Sequence, residues 1–153
     1  MKSIADAREA IINSHPDSAV YIGCDSIRCK RHGRWVARYA IVIVLHHASS
    51  KGASVFYDIE VHPDDAGSLR QRLMKEVELA TLTALGVVDV LGDRSMEIHI
   101  DVNTNPKHKS NIVKNEAVGY VMGQLGFPPK LKPSGWAATH AADACARGRL
   151  ERH

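Results

Sequence analysis

The spacing of apolar residues changes at Pro63, and this change constrains the fold more than any other feature of the sequence. Before Pro63, short apolar runs at 19–24, 35–46 and 53–61 follow the period of two that is typical of β-strands. A polar and basic segment at 26–34 connects the first two runs as a hairpin connection. Beyond Pro63 the period lengthens to that of an α-helix. The sequence therefore predicts an antiparallel meander of three strands followed by helical segments.

The first long helix is predicted to begin at Asp64 or Asp65, either of which can cap it, and to end near Leu85. Its apolar stripe consists of Leu69, Leu73, Val77, Ala80 and Ala84. A strand at 96–101 follows, and a strand reached by a helical crossover lies parallel to its neighbour. We expect this fourth strand to lie beside the first one.

Four further elements complete the predicted fold: a short helix at 4–14, a helix at about 110–125, an edge strand at 130–132 and an alanine-rich helix at about 135–147. The 153 residues, of which 44% are hydrophobic and 24% charged, suffice for one core. We therefore predict a single α/β domain over residues 1–153. Its central mixed sheet has five strands, three antiparallel and then parallel ones, and helices flank it.

The composition also limits where the protein works. No apolar run approaches the roughly 18 residues of a membrane span, and acidic residues near the N-terminus replace the apolar region of a signal peptide. The three cysteines have no framework spacing, which favours a reducing compartment. These features predict a cytoplasmic protein without a membrane partner. The net charge of +3 permits a polyanionic partner without requiring one.

Carboxylates recur at strand ends and on helices in a way that suggests a common site. Asp101 ends the strand at 96–101, and a turn aspartate just past the strand is the simpler reading of one such residue. Comparable positions are held by Asp25 after the first strand, by Glu76 or Glu78 in the long helix, and by Asp143 in the alanine-rich helix. Four acids brought together would repel one another unless cations lay between them. The hypothesis is a site for a hard metal ion.

Helix geometry leaves the choice of glutamate open. Relative to Val77, Glu76 and Glu78 lie about 100° to either side, so that each flanks the apolar arc.

Four segments carry a family resemblance: Y-I-G-C-D-S at 21–26, E-L-A-T-L-T-A-L at 78–85, I-H-I-D-V at 98–102 and G-F-P-P-K-L-K-P-S-G-W-A-A-T-H-A-A-D at 126–143. In this order the chain resembles the ribonuclease H-like superfamily and, more closely, its bacterial YkuK-type branch. Ribonuclease H proper has a glycine-rich segment soon after its first acid, where this chain has Ser26 to Lys30. The resemblance therefore does not imply a strict preference for the RNA of a hybrid.

The resemblance implies two bound Mg²⁺ or Mn²⁺ ions and a set of acidic ligands. Carried over to this sequence, the metal-binding and catalytic acids are Asp25, Glu78, Asp101 and Asp143. Glu78 is chosen over Glu76 because the family glutamate precedes the same E-L…A-L pattern. His140 stands three residues before Asp143 on the same helix face. It is predicted to move protons or to position the water nucleophile, although a surface histidine is the simpler reading.

Basic residues near the proposed acids are the candidate contacts to nucleic acid, although a solvated surface would have the same composition. They are Arg28, Lys30 and Arg31 in the first hairpin, Lys107 and Lys109 after Asp101, and Lys130 and Lys132 before the last helix. The predicted function is hydrolysis of phosphodiester bonds in RNA, RNA–DNA hybrid or structured DNA by a two-metal nuclease. The alternative is a nucleic-acid-binding module that keeps the fold without turnover.

Overall fold

A computed structural model describes residues 2–48, 52–103 and 113–132 of the chain. The helices are α1 (Ala7–Asn13), α2 (Leu69–Leu85) and α3 (Lys114–Leu125), with short 3-10 helices at Ile4–Asp6 and Val88–Val90. The strands are β1 (Ala19–Arg31), β2 (Arg34–His46), β3 (Ala53–Pro63), β4 (Ser95–Asn103) and β5 (Lys130–Lys132). They form one sheet of five strands in the order β3-β2-β1-β4-β5. The predicted mixed sheet is confirmed.

The topology of the sheet follows from the connections between its strands. Short links join β1 to β2 and β2 to β3, and both pairs are antiparallel. Helix α2 carries the chain from β3 to β4, which lies parallel to β1, and β5 lies parallel to β4. The prediction that the fourth strand lies beside the first is therefore confirmed, and β1 becomes the central strand.

The first hairpin differs from the prediction. The segment at 26–34 was predicted as a connection, but β1 continues through it to Arg31, which pairs with Arg34 on β2. The turn is made by His32 and Gly33 alone, with φ angles of 53° and 77°. A two-residue turn with both φ angles positive matches the right-handed twist of the flanking strands, so that pairing continues to the turn. Since β4 pairs with β1 only as far as Gly23, the basic residues lie on a two-stranded extension of the sheet.

Each face of the sheet has its own apolar cluster. Leu73, Val77, Ala80 and Ala84 of α2 are buried in the larger cluster with residues of β1, β2 and β4, including Ile22, Ile43 and Ile98. On the opposite face, Ala40, Val42, Val44 and Tyr57 form the smaller cluster. Helix α2 thus lies across β1 and presents its buried stripe to that strand and to its neighbours.

The N-terminus of α2 also differs from the prediction. The cap is Ser68, whose side chain accepts a hydrogen bond from the backbone N–H of Gln71, and not Asp64 or Asp65. Asp64 is used elsewhere, because its carboxylate pairs with Arg28 on β1. Within the described residues α3 begins at Lys114, so the predicted start near residue 110 and the whole predicted helix at 135–147 lie outside them.

None of the helices in the described ranges combines the length and the apolar character that a membrane span needs.

Candidate metal centre and nucleic-acid surface

Two strand acids lie level with each other where β1 and β4 stop pairing. The last parallel pair joins Gly23 to His99. Asp25 and Asp101 follow two residues later on their strands, and both are partly exposed. Because side chains alternate along a strand, these two acids point to the same face as Gly23 and His99. The adjacent parallel strands therefore bring Asp25 and Asp101 to one place in the sheet.

Glu76 on α2 is a third acid near this point, on the face of the sheet that Ser26 shares, whereas the alternation of side chains puts Asp25 and Asp101 on the other face. It is 5% exposed, although it is a carboxylate, and it faces β1. The hydroxyl of Ser26 donates a hydrogen bond of 2.5 Å to Oε2 of Glu76. The backbone N–H of Ser26 donates to Oδ1 of Asp25 at 2.9 Å. Ser26 therefore links the glutamate of the helix to the aspartate of the strand.

The surroundings of Glu76 disfavour its negative charge. Burial raises the pKa of Glu76 well above its ordinary value, and the charge of Asp25, and more weakly that of Asp101, raises it further. The hydrogen bond from Ser26 and the charge of Arg72 act in the opposite direction. Burial and like charges thus outweigh these favourable contacts, and a cation at this point would relieve the repulsion.

Glu78, the helix ligand that the resemblance implies, lies on the outer side of α2. Its side chain is 44% exposed and lies 3.7 Å from Nζ of Lys75, one turn earlier on the same helix. Glu76 occupies the buried side of α2 with Leu73 and Val77. The packing of that stripe on the sheet fixes the rotation of the helix, and this rotation turns Glu76 toward Ser26 of β1 and Glu78 away from the sheet.

The donor chemistry of these three acids suits a hard cation. Asp25, Glu76 and Asp101 offer carboxylate oxygens, which are the ligands that Mg²⁺ and Mn²⁺ prefer. In the part of the chain that the structure describes, no three His, Cys, Asp or Glu residues lie close enough together to form an assembled metal site. Two other predicted site residues, Asp143 and His140, lie outside the described residues.

The predicted nucleic-acid contacts do not share one surface. Arg28 and Lys30 lie on the same face of β1 as Ser26, whereas Arg31 points to the opposite face. Lys30, Arg31 and Lys130 are exposed. Lys107 and Lys109 lie outside the described residues, and of Lys132 the structure describes only the backbone.

Arg28 is held in place by its neighbours. Its Nε donates to Oδ2 of Asp64 at 3.0 Å, and its Nη2 donates to the carbonyl oxygen of Asp64 at 3.0 Å. Its guanidinium lies 4.0 Å from the ring centre of Trp35. These contacts anchor the loop before α2 to the hairpin. Arg28 therefore has a structural role in addition to its predicted contact with nucleic acid.

Gly67→Ala provides a test of this anchor. Gly67 has a φ of +65°, and a Cβ there would lie 3.0 Å from the guanidinium carbon of Arg28. We expect the substitution to lower the free energy of unfolding by about 2 kcal/mol, from backbone strain and from displacement of Arg28. Gly33→Ala is the control, since Gly33 has a φ of +77° and nothing within 4 Å, and strain alone should cost about 1 kcal/mol. Equal losses in urea denaturation would mean that Arg28 is not held firmly.

The comparison with family models identifies the class of protein. The model described as Ribonuclease H-like matches residues 3–147. The chain therefore belongs to the ribonuclease H-like family, in agreement with its sheet order and with the adjacency of β1 and β4. No curated protein and no solved structure matched the chain.

Proposed function

We propose that this protein is a metal-dependent nuclease that hydrolyses phosphodiester bonds in RNA, RNA–DNA hybrid or structured DNA. The observation that carries the proposal is the burial of Glu76 on the crossing helix, bonded to Ser26 and near enough to Asp25 and Asp101 on the two adjacent parallel strands for their charges to raise its pKa. A buried carboxylate near two others is costly unless it serves a charged ligand. Membership of the ribonuclease H-like family supports a nuclease-like fold.

In this proposal Asp25, Glu76, Asp101 and Asp143 hold two Mg²⁺ or Mn²⁺ ions, with Glu76 replacing Glu78 in the predicted set. Such ions would lower the pKa of a water nucleophile and neutralise charge on the leaving oxygen. Ser26 orients the site, because one residue donates to both Glu76 and Asp25. His140, by its position three residues before Asp143, would accept or return a proton.

The proposal is tested with labelled single-stranded RNA and DNA, duplex DNA, RNA–DNA hybrid and a four-way junction. Each is incubated with Mg²⁺, Mn²⁺, Ca²⁺ or EDTA. We expect cleavage of at least one substrate with Mg²⁺ or Mn²⁺ and none with EDTA. Calcium should bind without supporting turnover, because its looser coordination positions water less well.

The alternative is a nucleic-acid-binding module without turnover. It is favoured by the lack of an assembled group of three ligands within residues 2–48, 52–103 and 113–132. Binding of the same substrates without cleavage under any of these metal conditions would decide for the module.

A further inference from the structure

The hairpin formed by β1 and β2 beyond Gly23 carries an exposed tryptophan, Trp35. It lies beside Arg28 and Lys30, on the same face of the sheet as Ser26. Lys30 pairs with Trp35 across β1 and β2, so that both side chains lie on the same face of the sheet. Nζ of Lys30 is 5.2 Å from the ring centre of Trp35, and Trp35 is 37% exposed. Large aromatic side chains are usually buried, and this one lies on the surface at the end of an extended hairpin.

The row from Ser26 to Lys30 connects this tryptophan to the proposed site. Ser26 donates to Glu76, and Arg28 and Lys30 follow on the same face of β1. At about 3.3 Å per residue, Lys30 lies roughly 13 Å from Ser26 along the strand. That distance is covered by a few nucleotides of an extended strand.

The charge along this row is positive. Arg28 and Arg72 both approach Asp64, with Nε of Arg28 at 3.0 Å and Nη1 of Arg72 at 3.7 Å from its Oδ2. Two cations thus share one anion. Lys30 has no ion-pair partner among the described residues, and it adds a further positive charge to the row. A chain of phosphates would be attracted to this face.

We propose that the Arg28–Lys30–Trp35 face of the hairpin binds a single strand of nucleic acid, with a base stacked on Trp35 and a phosphate at Lys30. The inference rests on the proposed nucleic-acid substrate and adds a specific strand contact to it. Stacking on an indole requires a base whose face is open, which a paired duplex does not offer. The guanidinium of Arg28 lies 4.0 Å from the ring centre of Trp35 and is itself held by Asp64, which keeps the indole in place.

The test measures binding in EDTA, where no metal-dependent cleavage interferes. The probe is a fluorescently labelled twelve-nucleotide oligothymidine or oligouridine, followed by anisotropy, with a matched duplex as competitor. We expect Trp35→Ala to raise the Kd by on the order of tenfold or more. Lys30→Gln and Arg31→Gln each remove one positive charge from the same hairpin. Lys30→Gln should weaken binding more, because Arg31 points to the opposite face of the sheet.

Tryptophan fluorescence provides a second readout that does not depend on the stability of Trp35→Ala. The chain has two tryptophans, Trp35 and Trp136, so the difference between the native protein and Trp35→Phe reports on Trp35. Quenching by the oligonucleotide should be strong in the native protein and largely lost in Trp35→Phe. Equal quenching in both would overturn the inference, as would equal losses for Lys30→Gln and Arg31→Gln, or equal competition by duplex.

The outcomes separate this inference from the proposed activity. If binding depends on Trp35 and Lys30 but the protein cleaves no substrate, the single-strand binding inference is supported and the proposed nuclease activity is rejected. If the protein cleaves a substrate with metal but its oligonucleotide binding does not depend on Trp35 or Lys30, only the single-strand binding inference is rejected.

Discussion

Glu76→Gln is expected to reduce metal-dependent cleavage by about 10²- to 10³-fold, whereas Glu78→Gln should change the rate by no more than about twofold. Glu76 is buried near Asp25 and Asp101, and its replacement removes a negative charge from the place where the cations would bind. Glu78 is partly exposed beside Lys75. Initial rates on the best substrate from the panel, at saturating Mn²⁺, provide the measurement.

The two glutamates form a matched pair for this experiment. They lie two residues apart on α2, and both substitutions remove one charge and keep nearly the same shape. Asp101→Asn serves as the reference for a lost site acid and should be inactive as well. An inactive Glu78→Gln protein beside an active Glu76→Gln protein would mean that the helix presents its other side to the substrate.

The pairing of Asp25 with Asp101 could be predicted from the sequence because it depends on rules of chain connection. The change of period at Pro63 places a helix between the meander and the fourth strand, and a helical crossover makes that strand parallel. The alternation within Met96 to Asp101 then fixes which residues share a face. No detail of side-chain packing was needed for either step.

The choice between Glu76 and Glu78 depends on how α2 is rotated about its axis. The sequence indicates this rotation through the centre of the whole apolar stripe, which a comparison with Val77 alone does not use. The stripe Leu69, Leu73, Val77, Ala80 and Ala84 is centred about 40° to the Glu76 side of Val77, at 100° per residue. Glu76 is thus about 60° from the centre of the stripe, and Glu78 about 140°. The family pattern E-L…A-L selects Glu78 because the pattern matches residue types and takes no account of helix faces.

The hairpin and the cap of α2 depended on interactions between distant residues. Asp64 is a good cap by type, but Arg28 on β1 binds its carboxylate, and Ser68 takes the position. The polar composition of Ser26 to Arg31 indicated a connection, yet the His32-Gly33 turn allows pairing with β2 to continue. Local sequence could not predict these outcomes, since each is decided by a partner elsewhere in the chain.

Without divalent ions, the free energy of unfolding should fall as the pH rises from about 4.5 toward 8, and Glu76→Gln should remove most of this fall. The ordinary pKa of Glu76 is 4.5, and burial and the charge of Asp25 raise the pKa in the folded protein. Above pH 4.5 the unfolded chain therefore loses this proton while the folded protein retains it. The folded state binds more protons, so stability decreases with rising pH until Glu76 ionises.

The other described residues whose pKa is clearly shifted act outside this window. Arg8 lowers the pKa of Asp89 below 3.8, which affects stability only in stronger acid, and burial raises the pKa of Cys24 above 9.0, which matters only in alkali. Urea denaturation of the native protein, Glu76→Gln and Glu78→Gln in EDTA at pH 5 and pH 8 therefore isolates Glu76. At pH 8 we expect Glu76→Gln to be more stable than the native protein by about 1–3 kcal/mol, with Glu78→Gln unchanged.

Addition of Mn²⁺ should offset this difference at pH 8. Protons and cations compete for the same carboxylates, so the ion should raise the melting temperature of the native protein at pH 8 and have much less effect at pH 5. At one hundred times the Kd, mass action would stabilise the native protein by about 2.7 kcal/mol. Glu76→Gln should gain less, because one ligand is missing, while Glu78→Gln should gain as much as the native protein. Parallel pH profiles for the native protein and Glu76→Gln, with equal gains from Mn²⁺, would contradict a cation site at Glu76.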